Sequence, residues 1–415
     1  MRSALAISEM GYRAVLVEKS GRLGGNALNL SSTFGGRPMQ HYVRKIINDV
    51  VSNERINVFL NTEIEKIDGY VGNFTTSLKT GNVITPIKHG AVVVAIGARE
   101  QKPGEYLYGE SPRVITQLEL DRSLLEGGAG LEGFKNVVMI QCAGSREEGR
   151  MYCSRVCCNQ ALRNAIALRR IDPEASITIL YRDMRSYGLY EDNYRAARNA
   201  GIRFIHYDPE KKPVVLKRPD GTLYVDAYIE ELGETVSLDA DLVVLAGAIV
   251  PDKDENKRIA QLLKVPMTQD GFFLEAHVKL RPVDFATEGV FVCGLAHSPR
   301  NLRECMIQGT AAAGRAATII AKDSLETEGT IAKVDPNYCT ACGSCEKVCA
   351  YGAISVREVT VRRSVVRKAV VNEVLCKGCG TCSANCRCGA IDVGGFSDRQ
   401  IIGEIEYLLR RKESR

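Results

Sequence analysis

An α/β body followed by a small cysteine-rich α+β unit is the fold class this sequence predicts, and three observations carry it. The opening residues, RSALAISEMG, form an amphipathic helical pattern that stops at Gly11 and leads into a short apolar strand, Ala14 to Val17, closed by Glu18. That is the second half of a dinucleotide-binding βαβ unit. Apolar runs of buried-strand character recur at 89–97, 136–141, 176–181 and 240–251, as expected of parallel strands covered on both faces. Near the end, CTACGSCEKVCAYGAI is followed by CKGCGTCSANCRCGAI, each with Cys at i, i+3, i+6 and i+10.

In a βαβ unit of this kind the acidic residue closing the second strand hydrogen-bonds the ribose of an adenine dinucleotide, a role that suits Glu18. Residues 21–26, GRLGGN, resemble the loop by which two-domain flavoproteins of the thioredoxin-reductase superfamily approach the FAD pyrophosphate, where glycines permit close backbone contact. The run HGAVVVAIGARE resembles the same superfamily's second FAD segment, with Ile96 where Thr is usual and Gly97 after it. TEGVFVCGLAH, 287–297, resembles its closing strand, with Leu295 where those enzymes carry an Asp that holds the ribityl chain. The resemblance implies FAD contacts at Glu18, Lys19, Arg22, Gly24, Gly25, Asn26, Ile96, Gly97, Gly294 and Leu295. A first strand and glycine fingerprint would precede the opening helix, so the chain is expected to be N-terminally truncated relative to such proteins and to hold FAD weakly in this form. Between the first two segments, residues 57–85 alternate apolar and polar, with turn signals at Asp68-Gly69 and Thr80-Gly81, predicting a small antiparallel insertion.

A second α/β unit, 136–251, interrupts the first. In flavoprotein disulfide reductases the corresponding insertion binds NAD(P)H through a glycine-rich loop after its first strand. Here that loop reads Cys142-Ala143-Gly144-Ser145-Arg146, without the G-x-G-x-x-G/A pattern a pyrophosphate requires. In its place stand four cysteines, Cys142, Cys153, Cys157 and Cys158. At a strand end and a helix start they could close around a metal cluster, and a helix N-terminus favours thiolate. Spacing alone leaves open a group of buried or redox-paired thiols.

The two C-terminal runs are C-x2-C-x2-C-x3-C, the pattern that wraps three thiolates around one [4Fe–4S] cube and sends the fourth to the neighbouring cube. It assigns Cys339, Cys342, Cys345 and Cys386 to one cluster, and Cys376, Cys379, Cys382 and Cys349 to the other. Zinc knuckles or disulfides fit this spacing less well. The stretch resembles a bacterial two-cluster ferredoxin, with Ala350 and Arg387 where Pro usually follows the fourth Cys.

At 415 residues and 45% hydrophobic, the chain has length for more than one core. Fifteen clustered cysteines, an odd number, argue against extracellular disulfides and for a reducing, cytoplasmic setting. The formal charge of +5 is offset by about two negative charges per cluster, so basicity gives no argument for nucleic acid. No apolar run approaches the roughly twenty residues that span a bilayer, and no signal pattern opens the chain.

QCAGSREE, YCSRVCC, YRDMRSYG, DGFFLEAHVKLRPVDFAT and VFVCGLAH, with the C-terminal cysteine runs, are together similar to the A-subunit family of heterodisulfide reductases, the flavin and iron–sulfur component of those enzymes. The similarity runs along essentially the whole chain. It implies a third [4Fe–4S] cluster on Cys142, Cys153, Cys157 and Cys158, close to the flavin, and places Arg163 where a Lys usually lies near it. It implies a two-domain flavoprotein of thioredoxin-reductase-like type with a C-terminal two-cluster ferredoxin. The expected parts are an FAD-binding domain (1–135 and 252–328), the insertion (136–251), the ferredoxin domain (329–395) and a terminal helix (396–415). It further implies electron transfer between FAD and three clusters within a complex, in a family whose flavin permits electron bifurcation. Expected partners are further subunits, hydrogenase- or formate-dehydrogenase-type input subunits and ferredoxin. The alternatives are a relay without bifurcation in a quinone-interacting or sulfur-metabolism complex, and a non-catalytic ferredoxin scaffold. The family's extra N-terminal domain and inserted ferredoxin have no counterpart here. Cys293, Cys305 and Cys388 match no ligand run and read as buried free thiols; His277 and His297 read as hydrogen-bonded structural residues. Ile401, Ile402, Ile405, Leu408 and Leu409 fall on one helical face, to pack on the ferredoxin or to dock a partner.

Overall fold

The structure is a computed structural model that describes residues 1–33, 37–128, 130–325, 330–361 and 363–413. The chain divides into two compact units, residues 1–68 with 74–320, and 69–73 with 321–415; the expected boundary at 328–329 lies outside the described residues.

In the first unit the strongest apolar runs become a five-stranded parallel sheet. Its spatial order is Arg203–His206, Ser176–Tyr181, Asn136–Ala143, Leu242–Gly247 and Val114–Thr116. Alternate side chains of the central strands serve two cores. Val137, Met139, Ile177 and Ile179 meet Leu120, Ala161, Leu162 and Ala165 of the helices Gln117–Leu125 and Cys157–Ile171. Val138, Ile140, Leu180 and Val243 meet Val215, Leu223, Val225 and Ala227 of an antiparallel sheet formed by Val214–Lys217, Leu223–Ile229 and Glu234–Ala240. Burial on both faces explains why these strands read as unbroken apolar runs. The sheet also recruits Val114–Thr116, ahead of the expected start at 136; three residues are too few to show a period.

The remaining first-unit segments form separate short pairings. Ala14–Val17 pairs in parallel with Ile56–Phe59, and Val92–Val94 with Val290–Val292. The expected antiparallel insertion is therefore corrected: 56–59 belongs with the first strand, and the antiparallel sheet is Thr62–Tyr70, Asn73–Thr80 and Val83–His89. Its first turn falls at Val71-Gly72 rather than Asp68-Gly69.

A thin antiparallel pairing, Arg99–Glu100 with Ile249–Val250, marks where the chain enters and leaves the five-stranded part. Glu100 accepts from the Thr116 hydroxyl at 2.6 Å and from the Leu118 N–H at 3.3 Å. Burial raises its carboxyl to about 7, against partial relief by the Thr116 hydroxyl. With the folded value raised from 4.5, stability is fully present below pH 4.5 and is lost as pH rises through about 7. The loss is about 3 kcal/mol. Glu100→Gln should therefore match wild type at pH 4 and exceed it by that amount at pH 8, read by thermal unfolding. Equal pH dependence of the two proteins would refute the assignment.

The second unit pairs Ala332–Val334 with Ile391–Val393 and carries an antiparallel hairpin, Ile354–Val361 with Ser364–Val371. Two short helices, Ser344–Val348 and Thr381–Ala384, follow the second Cys of each run. Gly378 must be glycine: at φ +59°, a Cβ would run into the Thr330 carbonyl oxygen. The terminal helix, Asp398–Glu413, keeps Ile401, Ile402, Ile405, Leu408 and Leu409 exposed, so it does not pack its apolar stripe on this unit. No described helix is long and apolar enough to cross a membrane.

Candidate functional site: three thiol groups and a glycine-lined loop

The glycine loop is built by its neighbours. Glu18 follows the first strand, and its carboxylate accepts from both the backbone N–H and the hydroxyl of Ser20 at 2.8 Å, ordering the entry to the loop. Gly24 has φ +117°, and a Cβ there would meet Leu28 Cγ at 2.7 Å; Gly25 follows at φ +51°. The Asn26 amide donates to the Ala98 carbonyl at 2.8 Å, which ties this loop to the turn at Ile96 and Gly97. The Cys293 N–H donates to the Val94 carbonyl at 3.0 Å. The Ile96-Gly97 and Gly294-Leu295 segments therefore leave the same ends of adjacent parallel strands, the end where α/β sheets bind ligands. Lys19 is exposed and lies 3.9 Å from Asp252; Arg22 is exposed. Loops of low steric bulk at a shared strand end fit a dinucleotide.

His297 is buried, and its two nitrogens are assigned by their partners. Arg300 and Gln308 both donate to Nδ1, at 3.1 and 3.0 Å, so Nε2 carries the proton and donates to Glu275 at 2.8 Å. Burial lowers the His297 pKa. Gln308 Oε1 in turn accepts from the Gly294 N–H at 2.9 Å. His297 and Gln308 thus set the turn at Gly294. His277 instead accepts at Nδ1 from the N–H groups of Lys279 and Leu280.

The first thiol group lies where the central strand meets the Cys157–Ile171 helix. Cys142, near the end of the strand, sits in the left-handed region, φ +62°, a conformation costly for a non-glycine residue and typical of functional sites. Cys157 and Cys158 open the helix, and both are buried. Cys142, Cys153, Cys157 and Cys158 are close enough to perturb one another's ionisation. The Cys157 S–H bonds to Cys158 and lowers the latter's pKa to about 7, helped by Arg185 and Arg146, while Cys157 itself is raised. The Arg155 N–H donates to Cys153 Sγ at 3.3 Å. Both polar ends of the Gln141 and Asn159 side chains, the neighbours of Cys142 and Cys158, are buried without a partner among the described residues. Four converging thiols beside unspent amide donors fit a thiolate-ligated cluster, whose sulfurs accept hydrogen bonds.

Arg163, further along this helix, is 7% exposed and directs NH2 to both oxygens of the fully buried Asp121, at 2.9 and 2.7 Å. Arg163 also donates to the Ser32 carbonyl at 2.5 Å. Asp121 further accepts from Gln160 at 2.7 Å and from the Ser31 hydroxyl at 2.5 Å. The arrangement ties the cysteine-bearing helix to the Gln117–Leu125 helix and to the segment after the glycine loop. Asp121 was not legible as a site residue: in LELDRSLL it has the pattern of an exposed helical charge.

In the second unit the remaining thiols form two groups. Cys349, Cys376, Cys379 and Cys382 line one cavity, and Cys339, Cys342, Cys345 and Cys386 line a second. Three thiols in each come from one run and the fourth from the other. Backbone N–H groups reach the sulfurs in matched pairs, Ala353 to Cys349 and Ala390 to Cys386 at 3.2 Å, Ala332 to Cys376 at 3.3 Å and Ala369 to Cys339 at 3.4 Å. Such N–H···S bonds tune cluster sulfurs. No group of three or more His, Cys, Asp or Glu among the described residues closes on a single ion; a cube of four irons sets its ligand sulfurs further apart than the shell of one ion.

Residues 321–399 match the family described as a 4Fe-4S dicluster domain. The second iron–sulfur A-subunit (A 2) of the CoB–CoM heterodisulfide reductase of Methanopyrus kandleri is 32% identical, over 86% of this chain and 68% of its own. Its counterpart A 1 from the same organism is 30% identical over 99% of this chain and 75% of its own. The A-subunit of the H(2):CoB-CoM heterodisulfide,ferredoxin reductase of Methanothermobacter thermautotrophicus is 30% identical over 86% and 68%. Among solved structures, the thioredoxin reductase of T. acidophilum superposes with a TM-score of 0.52 at 14% identity, covering 78% of this chain and 95% of its own. This likeness places the fold alone.

Proposed function

Because the chain belongs to the A-subunit family of heterodisulfide reductases, a family of flavin and iron–sulfur oxidoreductases, we propose that it passes electrons between FAD and three [4Fe–4S] clusters as one member of a larger complex. The observation that supports this reading is the gathering of cysteines into three groups of four, two in the second unit and one at the start of the Cys157 helix. Cys339, Cys342, Cys345 and Cys386 hold one cluster, Cys349, Cys376, Cys379 and Cys382 the second, and Cys142, Cys153, Cys157 and Cys158 the third. Glu18, Gly24, Gly25, Asn26, Gly97 and Gly294 bind and orient the dinucleotide, the glycines by close backbone approach and Asn26 by fixing one loop to the other.

FAD exchanges electrons in pairs whereas a cluster carries one, so a flavin site beside single-electron carriers is where a pair divides. The proposal extends to bifurcation. Relatives are named for hydrogen, formate and ferredoxin, and we assign this chain partners of the same classes: electron-input subunits and ferredoxin. Nicotinamide is not among them, because the loop at Cys142 carries no phosphate-binding glycine pattern.

Anaerobic purification followed by metal and flavin assays tests the reading. About twelve irons with equal sulfide are expected per chain, along with uptake of added FAD, and neither NADH nor NADPH should bleach the bound flavin without a partner. Protein with full iron and no capacity for flavin would reduce it to a ferredoxin scaffold.

A further inference from the structure

The thiols that line the two cavities of the second unit match one for one, except at one position. Where the first is lined by Tyr351, two residues after Cys349, the second is lined by Cys388, two residues after Cys386. The second cavity therefore has five thiols. Cys388 Sγ lies 3.6 Å from Cys386 Sγ. Cys388 thus lines the cavity with its sulfur beside that of the fourth ligand.

Resting on the ligand assignment proposed above, we infer that Cys388 is an alternate iron ligand that shares one iron with Cys386. In the exchange the Fe–S bond to Cys386 breaks and that to Cys388 forms. The proton released by the Cys388 thiol passes to the Cys386 thiolate, and no electron moves. A C-x-C pair lets the two sulfurs alternate with only local rearrangement, because Arg387 between them ligates nothing. At the other cavity a phenol in place of the thiol forecloses the exchange, so the two clusters differ in how firmly the fourth ligand is held.

The test uses the full chain, loaded anaerobically with iron and sulfide, in the variants Cys349→Ser, Cys386→Ser, Cys388→Ser and Cys386→Ser/Cys388→Ser, with iron per chain as the readout. Cys349→Ser and the double variant should each lose about four irons; Cys386→Ser and Cys388→Ser should lose none. A loss of about four irons by Cys386→Ser, equal to that of Cys349→Ser, would overturn the exchange and leave the two-cluster assignment standing. Full iron in Cys349→Ser and in the double variant would overturn the assignment itself and the exchange with it. Wild type decides independently if a variant fails to fold. Brief alkylation of the loaded protein should yield peptides labelled at Cys386 or at Cys388, never both; labelling confined to Cys388 would overturn the exchange.

Discussion

Asp121→Ala is expected to destabilise the first unit by about 3–5 kcal/mol, the range for removing one partner of a buried ion pair. The carboxylate is fully buried and takes hydrogen bonds from Arg163, Gln160 and Ser31. Its removal takes the carboxylate from a guanidinium that is 7% exposed, whose pKa burial already lowers. Asp121→Asn should cost less, since an amide still accepts from one of these donors. Asp121→Leu/Arg163→Met should recover much of the loss, because a buried pair exchanged for apolar groups is often near neutral. Denaturant unfolding followed by a probe in the first unit reads all three. A cost below about 1 kcal/mol for Asp121→Ala would show the pair to be solvated, and the tie between the helices and the glycine loop to be weak.

Cys157→Ala/Cys158→Ala is expected to remove about four irons per chain and leave the ferredoxin-type signals unchanged. Both thiols open one helix, so the pair removes two of four ligands while leaving the fold's small residues in place. Alanine at buried cysteine positions costs little packing. Iron and sulfide analysis with low-temperature electron paramagnetic resonance checks it. Unchanged iron would leave Cys142, Cys153, Cys157 and Cys158 as a buried thiol group without metal.

Which cysteines meet in the second unit was legible because the information is local: small residues between the first three thiols of each run dictate the wrap. The parallel sheet was legible for a similar reason, since strands such as Asn136–Ala143 are apolar on both faces. What escaped was either too short or too distant in sequence. Val114–Thr116 is only three residues long. The fate of Arg163 depended on Asp121, which nothing nearby in the sequence singles out. The mismatch between Tyr351 and Cys388 needed the two cavities side by side, because only then does Tyr351 stand out as the counterpart of a thiol. The likeness to thioredoxin-reductase-type flavoproteins rested on glycines, and these take the left-handed backbone at Gly24, Gly97 and Gly294.

The crossed contribution of thiols in the second unit bears on descent. Neither run can complete a cavity by itself, since each supplies three sulfurs to one and the fourth to the other, and the N–H donors cross in the same way, Ala332 to Cys376 and Ala369 to Cys339. A single ancestral half would have closed its cavity only against a second copy of itself, a two-fold dimer of short chains. Joining the two copies end to end keeps every crossed contact and frees each half to diverge. A phenol at one member of the pair and a thiol at the other, Tyr351 and Cys388, is the kind of difference such divergence leaves behind.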